Sequence, residues 1–161
     1  MSAPAPRPVA PADVPAVVAM VHDLAAYERA PEQCTLTAAQ LTAALFGDAP
    51  ALFGHVVDDG AGGLAGFALW FLNFSTWDGV HGVYLEDLYV RPEHRGAGHG
   101  RALLAALAAV CVARGYSRLT WWVLDWNAPS IGFYRSLGAE PMDEWTTFRL
   151  HGDALAALGS R

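Results

Sequence analysis

The chain has only two cysteines, Cys34 and Cys111. They form no CxxC and no metal-ligand spacing, so a disulfide framework and a thiolate metal site are both unexpected. The six histidines are scattered, with no HExxH pair. The expectation is therefore no metal. Long apolar runs are missing as well: the longest covers residues 102–113 and is too short to cross a bilayer. Near the N-terminus, Arg7 and the run Val14 to Val21 are broken up by Pro8, Pro11, Asp13 and Pro15, which is no signal-peptide layout. These absences predict no membrane partner and a cytoplasmic protein. Positive charge is scarce, with 10 basic against 16 acidic residues and a net charge of −6. That argues against nucleic acid as a partner. It suits a cationic substrate, although most acidic proteins use such charge for solubility.

What is abundant is apolar residues, 53% of the 161. This length suits one domain, residues 1–161, with a sizeable core. Arg7 to Val9 reads as a short strand. Ala12 to Glu28 carries apolar residues at helical spacing, and Thr37 to Leu45 reads as a second helix with Thr37 as its cap. Ala51 to Val57 and Leu64 to Leu72 read as strands joined across Asp58 to Gly63, a strong turn signal. Asn73 to Asp78 reads as a loop. Val83 to Val90 is a strand, Arg101 to Arg114 a helix, Leu119 to Leu124 a buried strand and Pro129 to Leu137 a short helix. Ala139 to Met142 and Trp145 to Leu150 read as a last pair of strands, before a helical turn at Leu155 to Leu158. The order is mixed α/β with early antiparallel strands, not a regular βαβ alternation.

The segment richest in information is Arg95-Gly96-Ala97-Gly98-His99-Gly100, set between a strand and a helix. Its glycines let backbone approach a ligand closely. The helix start beyond it offers unpaired amides with partial positive charge. Together these suggest a phosphate or pyrophosphate cradle. A dinucleotide GxGxxG fails, because Arg101 or Leu103 stands at the third glycine position; a P-loop GxxxxGK[ST] is absent.

The loop matches the [RQ]-x-x-G-x-[GA] acetyl-CoA signature of the GCN5-related N-acetyltransferases. Upstream lies the strand ending Leu88-Tyr89-Val90-Arg91-Pro92, and downstream Asn127 to Ala139 matches N-x-x-[AS]-x-x-[FL]-Y-x-x-x-G-[FA]. A narrower resemblance is to the spermidine/spermine (diamine) N-acetyltransferases. It rests on Leu24 to Glu28, Glu32-Gln33, Leu36-Thr37, Tyr84 to Leu88 and Asp125 to Ser130, and spans roughly residues 7–158. Leu124-Asp125 departs from that family's Ala-Glu before Trp-Asn. The family includes enzymes that acetylate thialysine and other small amines. The resemblance implies a GNAT fold of the α/β (α+β) type. Its mixed, mostly antiparallel central sheet has helices on both faces and a V-shaped splay between the central strands. It also implies acetyl-CoA as co-substrate, a small-molecule amine as acceptor and a homodimer.

Acetyl transfer to an amine needs a neutral amine, a held thioester carbonyl and a proton for the leaving thiolate. At pH 7 an alkyl ammonium of pKa near 10.4 costs roughly 4.6 kcal/mol to deprotonate. A carboxylate that attracts the cation and relays its proton lowers that barrier. Glu86 and Asp87 are adjacent on a strand, so in regular geometry they point to opposite faces, unless a bulge intervenes. Of the two, Glu86 is favoured as the substrate carboxylate and water-relayed base, with Asp87 beside it in the substrate site. The resemblance assigns Tyr134 as the acid that protonates the thiolate. It also has backbone groups of Leu88, Tyr89 and Val90 holding the acetyl and pantetheine, residues 95–100 holding the pyrophosphate, and Asn127 and Ser130 touching CoA. Tyr27, Glu28, Trp77, Trp122, Asp143 and Trp145 are carried over as substrate-pocket residues, as carboxylates and aromatic faces for a cation. Competing readings are acetylation of a peptide N-terminus or antibiotic amine, an acyl-CoA-binding module without turnover, and a structural homodimer.

Overall fold

A computed structural model describes residues 4–160. The chain forms two compact units, one ending at Trp122 and the other starting at Val123.

The first unit is built on a five-stranded sheet in the order β1 (Arg7–Pro8), β2 (Phe53–Asp58), β3 (Leu64–Ser75), β4 (Val80–Val90) and β5 (Leu119–Thr120). Neighbours are antiparallel except β4 and β5, which are parallel. Helices α1 (Val14–Tyr27) and α2 (Ala38–Phe46) precede β2, and α3 (His99–Arg114) follows β4. Thr37 caps α2 as expected: its Oγ accepts from Gln40 N at 3.2 Å, and Gln40 returns a side-chain acceptor to Thr37 N at 2.9 Å. Arg7 anchors the first strand through ion pairs to Asp13 at 2.8 Å and Asp58 at 2.9 Å. Its guanidinium holds the Asp13 carboxyl below the usual range.

The alternation of side chains along β3 divides the core. Phe67 and Leu69 point to the face covered by α1 and α2, where they pack with Val14, Val17, Met20, Leu41, Leu45 and Tyr89. Ala68 and Trp70 point to the other face, with Val83 and Leu85 of β4. There α3 packs on β2, β3 and β4 through its buried stripe Leu103, Leu104, Leu107 and Cys111. These two layers are the helices on both faces that the resemblance implies.

Two features of the sheet were not visible in the sequence. First, β3 and β4 run longer than expected, so Asn73 to Ser75 is strand and only the residues between Ser75 and Val80 turn. Second, β5 stops at Thr120 rather than Leu124. It pairs with β4 only at Val83 and Tyr84. Beyond that point β4 continues without a parallel neighbour, which is the splay.

The second unit holds α4 (Ala128–Ser136) and α5 (Gly152–Gly159). The strands expected at 139–142 and 145–150 are not formed. A strand needs a ladder partner for its backbone groups, and an alternating pattern alone supplies none. Among the described residues of this unit, only Asn127 is buried.

Candidate active site

The decisive local feature lies in the middle of β4. Leu69 faces Asp87 across the ladder, yet the next residue, Trp70, faces Leu85. Glu86 is therefore an extra residue, a β-bulge. In a regular strand Tyr84 and Asp87 would lie on opposite faces. The bulge shifts the phase, so Tyr84, Asp87 and Tyr89 all share the α1 face, paired with Phe71, Leu69 and Phe67. The bulge falls two residues past Tyr84, the last residue that pairs with β5, so the splay and the phase shift begin within one another's reach.

The bulge separates the two acids, of which the sequence favoured Glu86. Glu86 is exposed and Asp87 is half-buried. Burial, reinforced by the like charges of Glu86 and Glu28, pushes the Asp87 carboxyl up to about 6. Glu28, just past the end of α1, is also raised by burial. No described hydrogen bond or ion pair takes up Glu28, Glu86 or Asp87. Three carboxylates without a cation, one of them withdrawn from water, form a place where a cation would be stabilised. Burial and Glu86 push the neighbouring Tyr84 hydroxyl up to about 12, so it stays protonated. Tyr84 continues an aromatic row, with Phe71 at 4.9 Å and Trp122 at 6.0 Å between ring centroids.

Beyond the C-terminal end of β4 the glycine loop turns into α3. Gly96 and Gly98 adopt φ of 80° and 87°, a region that side-chain-bearing residues rarely enter. Nothing lies within 4 Å of the position of an added Cβ at either residue, so this side of the loop is open. Gly98 caps α3, and its carbonyl accepts from Ala102 N at 2.9 Å. The amides of His99, Gly100 and Arg101 precede the first intrahelical donor and are free of the helix ladder. An anion with several oxygens fits this donor set. His99 itself is buried, its Nδ1 has no partner, and its ring lies 6.3 Å from that of His94.

One contact of this loop was not foreseen. The Arg95 guanidinium lies 5.5 Å from the ring centres of both Tyr27 and Tyr89, and its Nε donates to the Val90 carbonyl at 2.9 Å. Its side chain thus stacks between α1 and β4. The Tyr89 side chain is core, so only its backbone is available to a ligand. Leu88 and Val90 are half-buried on the opposite face. Trp77 is 90% exposed in the β3–β4 turn.

The second unit, by itself, carries Asn127 as the cap of α4, its Oδ1 accepting from Ser130 N at 3.4 Å. Tyr134 lies on the same helix, its ring 5.5 Å from Phe133. Asp143 and Trp145 are exposed beyond it.

Residues 17–139 match the acetyltransferase (GNAT) family model. The chain is 33% identical over 157 residues to thialysine N-epsilon-acetyltransferase of Bos taurus, covering 90% of this chain and 91% of that one. It is 42% identical over 95 residues to an L-ornithine N5-acetyltransferase of Arabidopsis thaliana, covering 59% of this chain and 42% of the relative. Among solved structures, an integron cassette protein from the mobile metagenome of V. cholerae superposes with a TM-score of 0.82 at 23% identity, over 100% and 99% of the two chains. The chain belongs to the GNAT acetyltransferase family and is an acetyl-transferring enzyme. Among the described residues no cluster could hold a metal ion, and no helix is long and apolar enough to cross a membrane.

Proposed function

We propose that the protein transfers the acetyl group of acetyl-CoA to a primary amine of a small cationic substrate. Lysine-like amines such as thialysine come first, and polyamines and diamines second. The observation that carries this reading is the bulged acidic site, with Asp87 half-buried and Glu28 and Glu86 around it. The match to a thialysine acetyltransferase along nearly its whole length supports the order of substrates.

In this reading the ammonium is drawn to Asp87 and Glu28. Glu86, exposed on the bulge, takes the proton from the attacking nitrogen through water. The neutral nitrogen forms the C–N bond to the acetyl carbon as the C–S bond breaks, both substrates being bound at once. Tyr134 gives its proton to the departing thiolate and is reprotonated by the second proton that the nitrogen sheds as the amide forms. Backbone groups of residues 88–90 hold the acetyl and pantetheine portion. Residues 95–100 hold the pyrophosphate, with Asn127 and Ser130 contacting CoA, and Tyr27, Trp77, Trp122, Asp143 and Trp145 bordering the amine.

The test is initial-rate kinetics with acetyl-CoA on thialysine, lysine, ornithine, putrescine, spermidine and spermine. All ten of the chain's basic residues are arginines. Acetylation of its own lysines therefore cannot masquerade as turnover. Saturable acetylation of thialysine or ornithine at a primary amine is the expected result. Failure of the whole panel at millimolar concentration overturns the amine assignment. Tyr134→Phe is expected to lower kcat by about 10²-fold, within the range of general acid catalysis. Unchanged kcat removes Tyr134 from the mechanism.

A further inference from the structure

The chain leaves α1 through a backbone conformation that side-chain-bearing residues rarely adopt. Arg29 has φ of 66°, and among the described residues it is the one non-glycine with positive φ. Its amide donates to the Ala26 carbonyl at 3.1 Å, and the Ala30 amide donates to the Ala25 carbonyl at 3.0 Å. Helices that close in this way usually place glycine at that position. An arginine there stores strain, and such strain persists only where the surroundings hold the backbone in place. Directly between Tyr27 and this strained residue stands Glu28, one of the three carboxylates of the acidic site.

The surroundings of this helix end include Arg95. Its guanidinium lies 5.5 Å from the ring centres of both Tyr27 and Tyr89. Tyr89 is buried in the core and makes a firm wall, whereas Tyr27 is exposed at the tip of α1. No described carboxylate pairs with the guanidinium, so its attraction to the two rings is not shared with an anion. The rest of the residue is tied to the glycine loop. Its amide donates to the Pro92 carbonyl at 3.2 Å, its Nε donates to the Val90 carbonyl at 2.9 Å, and the next residue is Gly96, with φ of 80°. A single side chain thus runs from the anion-binding loop to the strained end of α1.

We propose that Arg95 is a positioning residue that couples the cofactor loop to the amine site. An anion seated on the glycine loop fixes the Arg95 backbone. The guanidinium then holds Tyr27, and Tyr27 holds Glu28 in place against the strain at Arg29. By linkage, an ammonium held at Glu28 strengthens anion binding at the loop by the same factor. This inference rests on the proposed function, in which the loop takes CoA and the acidic site takes the amine.

The test measures the coupling itself, by isothermal titration of the full-length protein with CoA and thialysine, a pair that cannot react. The Kd of thialysine is expected to fall about tenfold at saturating CoA, and that of CoA to fall by the same factor at saturating thialysine. Arg95→Leu and Tyr27→Leu are each expected to bring this factor to about one. Tyr27→Phe keeps the ring and is expected to keep the factor. A purely structural role would change both affinities and leave the factor intact. Failure of either ligand to bind the wild-type protein overturns the proposed function and this coupling together. Binding of both ligands without mutual tightening, or tightening that survives Arg95→Leu or Tyr27→Leu, overturns the coupling alone.

Discussion

The two halves of β4 differ more than any two adjacent parts of the molecule. Before the bulge, Val80 to Leu85 is an ordinary interior strand. It pairs with β3 on one side and, at Val83 and Tyr84, with β5 on the other, and Val83 and Leu85 are fully buried. After it, Glu86 to Val90 keeps the β3 ladder, has no parallel partner, and carries a carboxyl with a perturbed pKa. One half is paired on both sides and the other on one side only, and a single inserted residue divides them.

The sharpest break of this comparison is Asp87→Asn. It is expected to reduce kcat/KM for the amine by about 10²-fold or more, because the ammonium loses its buried counter-charge. The same change is expected to stabilise the free protein at pH 8 by about 2 kcal/mol, a figure discounted for partial exposure. The sign follows from linkage. Asp87 ionises near 4 when unfolded and at about 6 when folded. Between those values the native state binds more protons, so stability falls as pH rises. Below pH 4 the variant and wild type should coincide. Chemical denaturation at pH 3.5 and pH 8 checks both limits.

Next in size is the converse substitution. Leu85→Ala is expected to cost about 2–5 kcal/mol of stability, as for other buried leucines. It should leave kcat/KM within about threefold at a temperature where the variant is folded. A large loss of activity would show that the two halves are not separable.

Deleting Glu86 tests the bulge itself. It leaves Leu69 opposite Asp87 and Trp70 opposite Leu85, so the ladder becomes regular. Thermal denaturation is expected to shift by only a few degrees, while kcat falls by about 10²-fold with the loss of the relay carboxylate. The mildest effect is on pH dependence. kcat/KM is expected to decline below about pH 6 as Asp87 takes up its proton. A flat profile down to pH 5 would separate Asp87 from substrate capture.

Much of the frame was legible in the residues. The 3.6-residue spacing of Val14, Val17 and Val21 marked α1, and Thr37 marked the start of α2. The alternate glycines marked the tight turn between strand and helix, where Gly96 and Gly98 take positive φ. The bulge was not legible. Glu86-Asp87 has the same composition in a regular strand and in a bulged one, and only the register against β3 distinguishes them. The Arg95 stack between Tyr27 and Tyr89 joins residues far apart in sequence and left no local signal. The expected strands at 139–142 and 145–150 show the opposite limit, because a strand pattern declares a preference without naming its partner.

By itself, then, the sequence determined the family and the order of the elements through α4, because periodicity, caps and glycine spacing are local properties. The tertiary structure decided which acid of an adjacent pair is withdrawn from water and where the sheet opens. Both depend on pairing with a distant strand, and on a burial cost that no residue carries alone.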